Sequence, residues 1–97
     1  MKRRNDIDIC ADVLRIARGG AGKTRIVYAA NLNFKIVKRY LLRLMEHGLL
    51  VSSDGIYSTT VIGLTFLEVY CRLNSMLEGD FLAIDQLGGV VEVVREG

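Results

Sequence analysis

Three stretches of apolar residues at helical spacing, an Asp-Gly pair between two short β-prone runs, and a long apolar-rich segment beyond them predict a mainly α domain with a small β-hairpin. Helix, helix, helix, hairpin is the order of a winged helix-turn-helix, here followed by a long, coiled-coil-like C-terminal helix. The expected division is 1–59 for the winged core, 60–88 for the long helix with a break near Gly79, and 89–97 for a tail.

Asn5 or Asp6 can cap the first helix. Its early acids (Asp6, Asp8, Asp12) and late cations (Arg15, Arg18) complement the helix dipole at both ends. Ile7, Cys10, Val13, Leu14 and Ala17 fall on one face, and Gly19-Gly20 ends the helix. A short second helix begins near Gly22 and carries Ile26, Val27 and Ala30, after which Asn31-Leu32 makes a tight turn. Asn33 then opens a third helix to about His47, with Phe34, Val37, Tyr40 or Leu41, Leu44 and Met45 inward. Asn33, Lys35, Lys38, Arg39 and Arg43 fall outward, and Gly48 suits the left-handed residue that ends such a helix. Leu49-Leu50-Val51 and Ile56 to Thr60 flank Asp54-Gly55, the hairpin turn.

From Thr60 onward, Gly63, Tyr70, Leu77 and Ile84 recur every seven residues, with Phe66, Leu73 and Leu87 in companion positions. A heptad seam on a terminal helix predicts a homodimer contact through Phe66, Tyr70, Leu73, Leu77 and Ile84. Asp80 falls in that seam directly after Gly79, where the break is expected. Val90, Val91, Val93 and Val94, after Gly88-Gly89, fit a short strand or a helical coda equally.

Charge is segregated along the chain. Residues 1–52 hold eleven Lys/Arg against four acids, a net +7, whereas residues 53–97 hold two against seven, a net −5. Between Val13 and Met45 lie eight basic residues and no acid. A basic face on a folded scaffold points to a polyanion partner.

Other chemistries find little support. Cys10 and Cys71 stand alone, as small buried side chains of a reducing cytoplasm would, and no spacing suits a metal. Gly19-Gly20-Ala21-Gly22-Lys23-Thr24 ends like a phosphate-binding loop, but Ala17 stands where the first glycine belongs and the preceding segment reads as a helix. His47 sits at a helix end, where it serves as a C-terminal cation. Neither a carboxylate pair nor a nucleophile with its base is present, so no enzyme, cofactor or small-molecule ligand is expected. No apolar run is long enough to span a bilayer, and the N-terminus lacks a signal-peptide core, so a cytoplasmic, nucleoid-associated protein is expected.

The run from Lys23-Thr24-Arg25-Ile26-Val27-Tyr28 through Ala29-Ala30-Asn31-Leu32-Asn33-Phe34, with Lys38-Arg39-Tyr40-Leu41 and Gly48-Leu49-Leu50, carries a family resemblance. Over roughly residues 6–78 the chain resembles the archaeal winged-helix proteins typified by the ten-kilodalton chromatin protein of crenarchaea and related transcriptional regulators. Thr65-Phe66-Leu67 resembles the start of that family's long C-terminal helix. The resemblance implies double-stranded DNA binding and homodimerisation through that helix as an antiparallel coiled coil. The hairpin tip here carries Asp54, so this wing is not a basic one.

In a helix-turn-helix the second helix of the motif enters the major groove. Asn33, Lys35, Lys38 and Arg39 are then the candidates for groove contacts, with Arg43 meeting phosphate a turn later. Asn33 competes for a second role as helix cap. Lys35 and Lys38 suit phosphate oxygens, and Arg39 suits a bidentate guanine contact. Lys23, Thr24 and Arg25 open the preceding helix, where free N–H groups already favour an anion. Tyr28 is either a partner to the same strand or a half-buried packing residue, and Tyr57 is equally ambiguous. The alternative of a different class is a winged-helix interaction module whose basic surface docks an acidic protein partner.

Overall fold

The computed structural model describes residues 4–87, with side chains through residue 77. Four helices and three short strands follow in the order α1 (Asp6–Ile16), β1 (Ala21–Gly22), α2 (Lys23–Ala30), α3 (Phe34–Glu46), β2 (Leu50–Ser53), β3 (Ile56–Thr59) and α4 (Val61–Leu87). This is a winged helix-turn-helix with a long C-terminal helix.

Each boundary has a local cause. Asn5 caps α1: its side chain accepts from the Asp8 N–H at 2.8 Å while Asp8 Oδ2 accepts from the Asn5 N–H at 3.1 Å, a reciprocal capping box. Asn31 adopts the left-handed conformation (φ 57°) that closes α2. Gly48 (φ 76°) closes α3, with its own N–H on the Met45 carbonyl and the Leu49 N–H on the Leu44 carbonyl. Asp54 and Gly55 both have positive φ (51° and 78°), as a two-residue hairpin turn between Ser53 and Ile56 requires. Thr60 caps α4, its hydroxyl accepting from the Gly63 N–H at 3.0 Å and donating to the Gly48 carbonyl at 2.7 Å.

The hairpin is joined by a strand that the sequence pattern does not announce. β1 pairs antiparallel with β3, Ala21 opposite Tyr57 and Gly22 opposite Ile56, to give a sheet of order β1-β3-β2. Two residues leave no period-2 pattern to read.

The core draws Val13 and Leu14 from α1, Ile26 from α2, Val37, Leu41 and Leu44 from α3, Leu50 from β2 and Leu67 from α4. Tyr40 and Leu41 are both buried, as the width of the apolar stripe allows. Four placements correct the sequence pattern. Ile7 is exposed, because the first turn of α1 overhangs the core and meets α4 instead. Phe34, at the first turn of α3, is also exposed and lies beneath Lys23. Cys71 is exposed, while Cys10 is half-buried and burial pushes its thiol above the usual range. Finally, α4 continues through Gly79 without a break, a glycine inside a helix costing only about 1 kcal/mol.

The first turns of α4 belong to the core. Gly63 does not line the outer seam but abuts the backbone of Leu49, where a β-carbon would stand 2.3 Å from the carbonyl oxygen. Phe66 and Tyr70 are half-buried against the core. The side chains of Asp80 and Ile84, and the tail 89–97 with its valines, lie outside the described residues.

Candidate nucleic-acid interface

On α3, the buried side chains Val37, Leu41 and Leu44 define one face, and Lys35, Lys38 and Arg39 stand exposed on the other. The adjoining α2 buries Ile26, Val27 and Ala30 and turns Thr24, Arg25 and Tyr28 to solvent. Among the described residues, Arg25, Lys35, Lys38 and Arg39 take part in no ion pair, so their charge is not spent inside the fold. The sequence brings these cations close along the chain, and the two helices that carry them pack on one another.

Individual placements settle several open alternatives. Asn33 caps α3, its Oδ1 accepting the Ile36 N–H at 2.8 Å. Tyr28 is 76% exposed, so it is no packing residue. Tyr57 is half-buried against the core. Lys23 is half-buried with its Nζ 5.8 Å from the Phe34 ring centre, a cation–π contact that fixes its direction at the start of α2. Gly22, the N-cap of α2, has no side chain to occupy the helix's first N–H groups, so these remain open beside Lys23, Thr24 and Arg25.

Arg43 is also exposed and falls four residues after Arg39, about 40° further around the helix, so it extends that end of the set toward α1. Its Nη1 lies 3.9 Å from Asp6 Oδ2, a solvent-exposed and therefore weak pair. Arg39, Tyr40, Arg43 and Asp6 line a shallow depression at this flank. Tyr40 anchors it, donating its hydroxyl to Asp6 Oδ1 at 2.6 Å, and that carboxylate pushes the phenol's pKa up.

Two residues outside the sequence-derived set matter here. Arg4 reads as part of a basic N-terminus but is used internally. Its Nη1 donates to Asp12 Oδ2 and to the Ala30 carbonyl, both at 2.8 Å, and so bridges α1 to the C-terminal end of α2. Leu42 lies 50% exposed on the cationic face of α3. Its four-residue spacing from Lys38 was the available signal, hidden because leucine reads as core.

The seam of α4 divides in two. Phe66 and Tyr70 touch the protomer's own core, and the Tyr70 hydroxyl donates to Asp8 Oδ1, which raises that phenol's pKa as well. Leu73 and Leu77 are exposed, together with Val69 and Met76. Ile7, Leu49, Ile62, Phe66, Val69, Tyr70 and Leu73 line an almost wholly apolar groove of about 430 Å³ between α1 and α4. No helix of the described residues is long and apolar enough to cross a membrane.

Comparison with known proteins agrees with this architecture. A family model described as winged helix-turn-helix matches residues 3–78. Over 67 residues the chain is 33% identical to an uncharacterised protein of Methanocaldococcus jannaschii, covering 68% of this chain and 32% of that protein. The chain thus spans about a third of the length of this curated relative. Among solved structures, Sso10a-2, a DNA-binding protein from Sulfolobus solfataricus, superposes with a TM-score of 0.72 at 24% identity, covering 90% of this chain and 96% of that one.

Proposed function

Because the chain belongs to the winged helix-turn-helix family, we propose that it is a non-enzymatic protein that binds double-stranded DNA as a homodimer, with α3 in the major groove. The observation that carries this reading is the exposed set Arg25, Lys35, Lys38 and Arg39, free of ion pairs among the described residues and mounted on two packed helices. The likeness in fold to a DNA-binding protein of Sulfolobus solfataricus supports it. Lys23, Thr24 and the open N–H groups of α2 grip one phosphate run, Lys35 and Lys38 grip backbone on α3, and Arg39 reaches a base edge. Arg43 contributes from the flank, where Asp6 competes for it. The homodimer forms through α4, with Leu73 and Leu77 in the seam and Ile84 continuing it. The role is that of a transcriptional regulator or a small chromatin-type protein of the nucleoid.

The test is binding to mixed-sequence duplex DNA across a salt series. A dimer neutralising on the order of six to ten phosphates gives log affinity falling against log salt with a slope of roughly −5 to −9. No binding at low salt, or binding indifferent to salt, overturns the reading in favour of a protein-docking module.

A further inference from the structure

We propose that Leu42 reads thymine: its side chain packs against the C5-methyl group in the major groove and gives the protein a preference for methyl-bearing pyrimidines. This rests on the reading that α3 enters the major groove. Lys35, Lys38, Arg39 and Leu42 follow one another at spacings of three, one and three, so the four form a single stripe on one face of the helix. Three members are cations and the fourth is a leucine with half its surface open to solvent.

A helix that only gripped phosphate would gain nothing from that leucine, because the sugar–phosphate backbone offers a cation-seeking surface. The core does not need it either: the buried side of α3 is filled by Val37, Leu41 and Leu44, and Leu42 points away from them. In the major groove, by contrast, the base edges present hydrogen-bonding groups and one apolar group, the thymine methyl. Glu46, exposed one turn beyond Leu42, ends the cationic stripe and marks where α3 must leave the phosphates. Leu42 therefore occupies the last position of the stripe that can face a base pair. Arg39, one turn earlier, supplies polar readout; Leu42 supplies the apolar complement.

The experiment compares one mixed-sequence duplex with its copy in which every thymine is replaced by uracil, which removes only the methyl groups. Wild-type protein should bind the uracil duplex roughly fourfold more weakly for each methyl that Leu42 covers, the equivalent of about 0.8 kcal/mol per buried carbon. Leu42→Ala should bind both duplexes equally, with the salt slope of the wild type and an unchanged melting temperature, since the residue is outside the core. Replacing cytosine by 5-methylcytosine in the uracil duplex should restore affinity for wild type alone. Equal binding of the thymine and uracil duplexes by wild type, or an undiminished difference in Leu42→Ala, overturns the assignment while leaving DNA binding intact. Failure to bind either duplex at low salt overturns the DNA reading itself.

Discussion

The hydroxyl of Tyr40 donates to the carboxylate of Asp6 across 34 residues of sequence, at 2.6 Å, and ties the middle of α3 to the first turn of α1. Two residues on, Asp8 receives the hydroxyl of Tyr70 and ties α4 to the same turn. One helical turn thus carries an acceptor for each of the two helices for which partners are proposed above.

Both phenols are held above their ordinary pKa by hydrogen bonds to the carboxylates, so the bonds stabilise the fold while the phenols stay protonated. A folded-state pKa above the unfolded value means stability that is complete below about pH 10 and lost as pH rises through the folded values. Tyr40→Phe should cost about 1 kcal/mol near neutral pH. The difference between wild type and the Tyr40→Phe/Tyr70→Phe double variant, measured by urea unfolding, should hold steady up to about pH 9 and shrink above about pH 10. A difference that persists undiminished at high pH would mean that the hydroxyls are not its source.

Gly63→Ala should be destabilising although alanine is the better helix former. The added β-carbon would meet the Leu49 carbonyl at 2.3 Å and the Thr59 Cγ2 at 2.6 Å, and the first of these is backbone that cannot rotate away. Overpacking of this kind costs about 1–3 kcal/mol, and each kcal/mol lowers the melting temperature of a domain this size by about 4–8 °C. A variant that melts at or above the wild-type temperature would show that α4 can lift off the β2 entry without loss.

The element order, the caps at Asn33 and Gly48, the Asp-Gly turn and the outward cations of α3 were all legible in the sequence, because each rests on a local preference or a helical period. What escaped was set by distant partners. Arg4 looks like surface charge until the Ala30 carbonyl and Asp12 are brought to it. Gly63 falls on the heptad period, yet its place is fixed by the backbone of Leu49. Phe34 fits the inward stripe by spacing, but the first turn of α3 projects past the core. Leu42 escaped for the opposite reason: its spacing from Lys38 places it on the polar face, but its residue type reads as core.

The α4 seam can be tested at Leu77, which is 61% exposed within the protomer. Leu77→Glu should leave each protomer's core untouched and yet place a charge in the dimer contact, where an unpaired buried charge is strongly disfavoured. Sedimentation should report two chain masses for wild type and one for the variant, with helical circular dichroism retained. A monomeric wild type, or a variant that remains dimeric, would remove Leu77 from the interface.

The roles proposed for Lys38 and Arg39 can be told apart by substitution at these adjacent residues. Lys38→Ala should weaken binding to all duplexes alike and flatten the salt slope by about one unit for each phosphate that is no longer neutralised. Arg39→Ala should cost about 1–3 kcal/mol on a selected site and much less on random duplex. Isotherms on both DNAs decide the matter: equal reductions for both variants on both duplexes would make Arg39 a phosphate contact and favour a chromatin-type role.

The pairing of Ala21 and Gly22 with Tyr57 and Ile56 has a mechanical meaning. Lys23 follows Gly22 directly, so the hairpin and the amino end of α2 are tied to one another through the backbone. On the proposed DNA-binding reading, the wing and the start of α2 therefore meet a duplex as neighbours joined by backbone pairing and not as independent arms.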